Sequence, residues 1–185
     1  MRRVSLFTAA FLITVSAGTA YAWFWDRGLE ARISEMRDMF RRRHLVRLFN
    51  ECVDERVRRE VLADVAEMRR DASNAGKIAA RLGFANRAEY LAADGNEVVS
   101  RFFNAMLHPP ARRREALSNP HYLRLALYLS LIFAHLDEGM VVTRRSVSRS
   151  SARVGYAGNN FRMTVPYVYR NGAWYITRES PGEVK

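Results

Sequence analysis

"ARVGYAGNNFRMTVPYVYRNGAWYIT", Ala152 to Thr177, decides the fold. Ala152, Val154 and Tyr156 alternate with polar or small residues, and so do Phe161, Met163, Val165, Tyr167 and Tyr169. A period of two puts each set on one face of a strand. Gly158-Asn159-Asn160 supplies a turn between the two runs. Asn171-Gly172 is a two-residue hairpin signal, because both positions of the tight turn need positive φ. "AWYIT" returns as the last strand, with Trp174 and Ile176 on one face and Ala173, Tyr175 and Thr177 on the other. Pro166 has no amide hydrogen, so its amide side is expected at an edge or a bulge. Met140 to Val147 is a further β-rich run. Together these predict an antiparallel meander of about four strands packed by one face.

Upstream of Gly139 the period changes. Leu29, Ile33, Met36 and Phe40 recur at helical spacing, and the series continues through Leu48, Phe49 and Cys52. Val57, Val61, Val65 and Met68 form a second stripe, with Asp54 and Glu55 at its start and Arg69 and Arg70 at its end, as the helix dipole favours. Glu55 and Arg59 are placed to pair across one turn. "DASNAG" breaks the pattern. Lys77 to Leu82 is predicted to stop at Gly83. Asn86 with Glu89, and Asp94 with Glu97, resemble capping boxes that open two more helices. The second of these carries Val98, Val99, Phe102, Phe103, Met106 and Leu107, and His108-Pro109-Pro110 stops it. After Ser118-Asn119-Pro120 comes "HYLRLALYLSLIFAHLDEG". Leu123, Leu125, Leu127, Leu129, Leu131 and Phe133 alternate as in a strand. Length and the abundance of Leu and Ala favour a buried helix instead. Helices followed by strands make an α+β fold: a helical N-terminal half packed against a curved antiparallel meander.

This order, together with "RLFNECVDERVRREV", "AARLGFANRAEYLAADGNEVVSRFFNAML" and the "NGAWYI" hairpin, resembles the nuclear transport factor 2-like superfamily, exported bacterial members in particular. The resemblance runs from about Leu45 to Arg178. It implies a cone-shaped α+β domain at residues 45–180, preceded by a helical segment at 23–52. The superfamily holds isomerases, dehydratases, ligand binders and secretion scaffolds, so membership implies a cavity and no particular reaction.

The chain of 185 residues carries a formal charge of +11, nearly all of it from arginine. Such a charge suits anionic lipid, acidic polymer or simple solvation. The single cysteine, Cys52, excludes an intrachain disulfide. Met1-Arg2-Arg3 followed by apolar Val4 to Val15 and Ala20-Tyr21-Ala22 matches a signal peptide over residues 1–22, cut before Trp23. The competing reading is an uncleaved anchor over residues 4–25. Both readings export the body, to the periplasm or beyond it, or leave it anchored to the inner membrane and facing the periplasm.

No residues combine into a catalytic set. His44, His108, His121 and His135 lack a second ligand at metal spacing, and His135 with Asp137 and Glu138 reads as a helix end. No metal or cofactor is expected. Cys52 falls on a helix stripe and reads as a small buried hydrophobe. In a cone cavity, Tyr156, Phe161, Tyr167 and Trp174 are the candidate ligand contacts, although aromatic residues on an apolar face are usually core. Arg145, Arg149 and Arg153, in "RRSVSRSSAR", are the candidate anion-binding residues. The other basic clusters are "RRRH" and "ARRRE". No aromatic residues interleave with these runs, so a nucleic-acid partner is not expected. The leading expectation is an exported, non-catalytic domain that binds a small ligand or an envelope protein. The alternatives are a membrane-anchored scaffold of an envelope or conjugation-type secretion assembly, and a small isomerase or hydrolase acting in the cone.

Overall fold

The computed structural model describes residues 25–71, 73–107, 120–158 and 161–178. The signal-peptide reading over 1–22, the cut before Trp23, the His108-Pro109-Pro110 stop and the "ARRRE" cluster lie outside the described residues, as do the side chains of Met106, Leu107 and Leu131. Among the described residues seven helices precede four strands. Helix α1 covers residues 25–41. It is followed by α2 (Leu45–Cys52), α3 (Glu55–Arg70), α4 (Ala75–Arg81), α5 (Arg87–Ala92), α6 (Gly95–Leu107) and α7 (Pro120–Ala134). Strands β1 (Val141–Val147), β2 (Ser151–Gly158), β3 (Phe161–Arg170) and β4 (Ala173–Ile176) form one antiparallel sheet in chain order. The fold is α+β, and the sheet does not close into a barrel. No described helix is long and apolar enough to cross a membrane.

The helical stripe from Leu29 to Cys52 is broken where a single run was expected. Arg43 takes a positive φ of 60°, and the chain turns there between α1 and α2. The amide of His44 still donates to the Met39 carbonyl at 2.9 Å. The caps at Asp54, Asn86 and Asp94 form: their side chains accept from the amides of Arg56, Glu89 and Glu97. Glu89 completes its box by accepting from the Ala85 amide at 2.6 Å.

Segment 120–134 is a helix. Tyr122, Leu125, Leu129, Ile132 and Phe133 are buried at three- and four-residue spacing, while Leu123 and Leu127 are exposed. The alternating leucines thus fall on both sides of α7. Leu91, Leu123 and Leu127 are among the few large apolar side chains left in solvent.

In the sheet, Ala152, Val154, Tyr156, Val165, Tyr167, Trp174 and Ile176 are buried on the face that meets the helices. Asn171 and Gly172 adopt φ of 50° and 83°, the left-handed pair that a tight hairpin requires. Gly158 is needed for a different reason: a Cβ there would lie 2.0 Å from the carbonyl oxygen of Gly139. The chain entering β1 crosses β2 at that point.

Two arginines of α1 hold it to the sheet through backbone oxygens. Arg32 donates to the Trp174 carbonyl at 3.3 Å and to the Glu51 carbonyl at 2.6 Å. Arg37 donates to the Met140 carbonyl at 2.6 Å. At the other end of α2, Val53 bridges to Ile176, and the Asp54 amide donates to the Ile176 carbonyl at 2.8 Å.

Candidate functional site

The aromatic candidates separate into a closed group and an outlier. Tyr156 and Tyr167 point inward from neighbouring strands and share a hydroxyl contact of 2.9 Å. The Tyr167 hydroxyl also meets Nε2 of His135, just past the end of α7, at 2.9 Å. All three are within 1% of complete burial. Burial pushes His135 down to about 3, the nearby Arg37 guanidinium adds to this, and the Ile132 backbone opposes it. Burial also raises Tyr156, and it carries Tyr167 well above the ordinary phenol range. The three groups therefore stay neutral, and both hydroxyls and Nε2 of His135 are satisfied by a neighbour, whereas Nδ1 of His135 has no hydrogen-bond partner. Trp174 is equally enclosed, edge-on to Trp25 at 6.2 Å and to Tyr169 at 5.2 Å. Phe161 does not join them. It starts β3 and is 43% exposed.

Cys52 is fully buried, and burial raises its thiol to about 11. Among the described residues no group of His, Cys, Asp and Glu is gathered to hold a metal ion.

An open groove of about 840 Å³ lies on the opposite side of β3 from β2. Its walls are α3 (Glu60, Ala63, Asp64) and α7 (Arg124, Leu127, Tyr128, Ile132), and its third side is the edge of β3 from Met163 to Pro166. The groove exists because β4 is shorter than β3. Register pairs Tyr167 with Ile176, and the ladder ends where the Thr177 amide donates to the Pro166 carbonyl at 3.0 Å. Beyond Pro166 the β4 side of β3 has no strand partner among the described residues. Ile176, Thr177 and Arg178 close one end. Leu127 is 63% exposed over the opening. The Tyr128 hydroxyl is buried without a hydrogen-bond partner. Burial raises it to about 12, Glu60 adds to this, and Arg178, stacked 5.8 Å from the ring, opposes it. Two ion pairs, Arg124 with Asp64 and Arg178 with Glu60, flank the apolar lining.

The three candidate arginines fall on different sides of the sheet. A bulge between Val142 and Arg144 shifts the register, so Arg145 pairs with inward-facing Val154. Arg145 turns toward α1 and meets Asp26 at 3.5 Å and Glu30 at 3.2 Å. Arg153, opposite Ser146 and Pro166, is exposed on the outer face, and Arg149 is exposed in the β1–β2 turn. The bulge puts Arg144 on the outer face: a Cβ on Gly155 would lie 3.1 Å from Oγ1 of Thr143 and 3.5 Å from Cβ of Arg144. Sequence alternation points to Arg145 and misses Arg144, because a one-residue insertion in the ladder exchanges the faces.

No family model, curated protein or solved structure matches the chain.

Proposed function

We propose that the protein is an exported, non-catalytic binding domain of the nuclear transport factor 2-like kind. Its ligand site is the groove between α3, α7 and the edge of β3. The carrying observation is the contrast between the two polar aromatic sites. The Tyr156–Tyr167–His135 chain is sealed, and both of its hydroxyls are paired. Tyr128 lines an open groove with an unsatisfied hydroxyl. A volume of about 840 Å³ fits a small, largely apolar molecule. One hydrogen-bonding group on that molecule would satisfy Tyr128, since a buried unsatisfied hydroxyl costs about 1–3 kcal/mol. The reading is tested by titrating a panel of acyl-chain and aromatic small molecules while following amide resonances by NMR. Shifts centred on Leu127, Tyr128 and Thr164, weakened at least tenfold by Leu127→Glu, are expected. Shifts centred on other surfaces, or unaffected by Leu127→Glu, reject the groove.

A second reading has one specific observation behind it. The outward amide and carbonyl of Thr164 sit on an edge with no strand partner among the described residues, and extended segments of partner proteins add to such edges. Shifts elicited by extended peptides and by no small molecule would select this reading.

A further inference from the structure

The net charge of the protein is concentrated in the sheet. Residues 141–178 contain seven arginines and no acidic residue, whereas residues 25–140 contain twenty basic and seventeen acidic residues. Three of the seven have acidic partners: Arg145 has Asp26 and Glu30, Arg178 has Glu60, and the third is Arg170. Arg170 pairs with Asp54 at 3.3 Å. Arg144, Arg149 and Arg162 make no ion pair among the described residues.

Register places Arg144 and Arg162 on one surface, and Arg149 is exposed in the β1–β2 turn. On the outer face Arg144 stands opposite Gly155, which stands opposite Thr164. Arg162 stands opposite Ala157, and Ala157 opposite Val141. Arg153 lies two residues from Gly155 on the central strand. No described helix covers this face. On this face, at the end where Arg162 sits, Val141 is a large apolar side chain left 65% exposed. Phe161, paired with Gly158, has the register of Met163 and Tyr156 and therefore lies at the end of the opposite face. An exposed apolar side chain beside guanidinium groups without ion pairs among the described residues, on a broad surface without acids, matches the chemistry of a lipid headgroup layer. Guanidinium binds phosphate in a two-pronged way, and short apolar groups enter the boundary between headgroups and chains. The face carries no row of aromatic rings on which bases could stack, which separates it from a single-stranded nucleic-acid platform.

We infer that the outer face of the sheet docks on an anionic phospholipid bilayer, with Arg144 and Arg162, and Arg149 from the β1–β2 turn, on headgroup phosphates and Val141 at the interface. This docking is independent of the groove and of whether the N-terminal apolar segment is removed. The two structural contributions differ in salt dependence. The arginine contribution is screened as ionic strength rises, and the apolar contribution is not.

The test uses the full chain carrying Val141→Cys, labelled there with an environment-sensitive fluorophore. The buried Cys52 is the only other thiol. The label reports contact of this face even when the N-terminal segment enters a bilayer by itself. A blue shift is expected on vesicles of phosphatidylcholine with phosphatidylglycerol, and none on phosphatidylcholine alone. The vesicle concentration at half-response should rise about fivefold for each of Arg144→Gln and Arg162→Gln. The effect of each arginine variant should shrink as salt rises, and Phe161→Ser, on the opposite face, should change docking less than twofold. Arg47→Gln with Arg59→Gln, which removes the same charge from the helices, should change it less than twofold. Equal response to both vesicle types, or an equal loss in the helical control, overturns the inference. So does a response to duplex DNA or polyphosphate where anionic vesicles give none.

Discussion

Arg47, Arg59 and Arg101 on the helices each face a carboxylate one turn away, whereas Arg144, Arg149 and Arg162 on the sheet face none. The same residue does different work in the two layers. On α6, Arg101 reaches Glu97 and Glu89 at 3.0 Å and the Gly83 carbonyl at 2.6 Å, and it lies 4.1 Å over the Phe84 ring. It ties α6 to the α4–α5 connection. On the sheet, arginines alternate with a buried aromatic face and project away from it. Charge in the helical layer is spent on internal cohesion. On the outer face of the sheet Arg144 and Arg162 are left available, while Arg145 and Arg170 tie the sheet to α1 and to the start of α3, and cohesion comes chiefly from aromatic packing and one buried hydrogen-bond chain.

The contrast can be broken first at Trp174. If the sheet is held by its inward face, Trp174→Ala should cost about 3–5 kcal/mol, read as a shift in a denaturation curve. A loss below about 1 kcal/mol would show that Trp174 is not part of the core. The buried chain gives the next effect. Burial holds His135 near 3 in the folded protein, against 6.5 when unfolded. The unfolded chain therefore takes up a proton that the native state refuses as pH falls through 6.5. Stability is complete above that pH and declines toward 3. From this group the loss by pH 5 should be about 2 kcal/mol. His135→Phe should flatten that part of the pH profile, and an unchanged profile would mean that His135 is accessible to protons in the native state. Tyr167→Phe, which leaves two buried partners unsatisfied, should cost about 1–3 kcal/mol at neutral pH.

A smaller effect is expected on the helical side. Arg101→Ala should cost about 1–2 kcal/mol through the lost stacking and hydrogen bonds. At the bottom of the order, Arg144→Gln with Arg162→Gln should leave the melting temperature unchanged or raise it, because no described group answers these charges. A marked destabilisation by that pair, comparable to that of Arg101→Ala, would erase the distinction between the layers.

The parts legible in the sequence were those encoded over a few residues. The Asn171-Gly172 turn, the caps at Asp54, Asn86 and Asp94, and the alternation of Val154, Tyr156, Val165 and Tyr167 are local patterns, and the structure contains them. The leucine-rich α7 was ambiguous because its leucines satisfy both periods, and length decided for helix. The candidate sites were less visible. Nothing in "VVTRRSV" marks the bulge, so the arginine that faces outward could not be told from its neighbour. The groove arises from the unequal lengths of β3 and β4 and from the approach of α3 and α7, which no window of sequence contains. Tyr128 had no distinguishing neighbour in the chain. The tie between His135 and Tyr167 spans 32 positions.

The attachment of α1 has a kinetic consequence. The four strands pair only with their neighbours in the chain, so the meander can form from the Asn171-Gly172 turn outward through short loop closures. The contacts of α1 with the sheet and the residue leading into it join positions more than a hundred apart: Arg32 with Trp174, Arg37 with Met140, Asp26 with Arg145. Closing those loops before the sheet exists gains nothing, so α1 is expected to dock after the rate-limiting step. Arg32→Ala and Arg37→Ala should then accelerate unfolding and leave the folding rate nearly constant, a φ-value near zero. A folding arm that slows in step with the lost stability would instead place α1 in the nucleus.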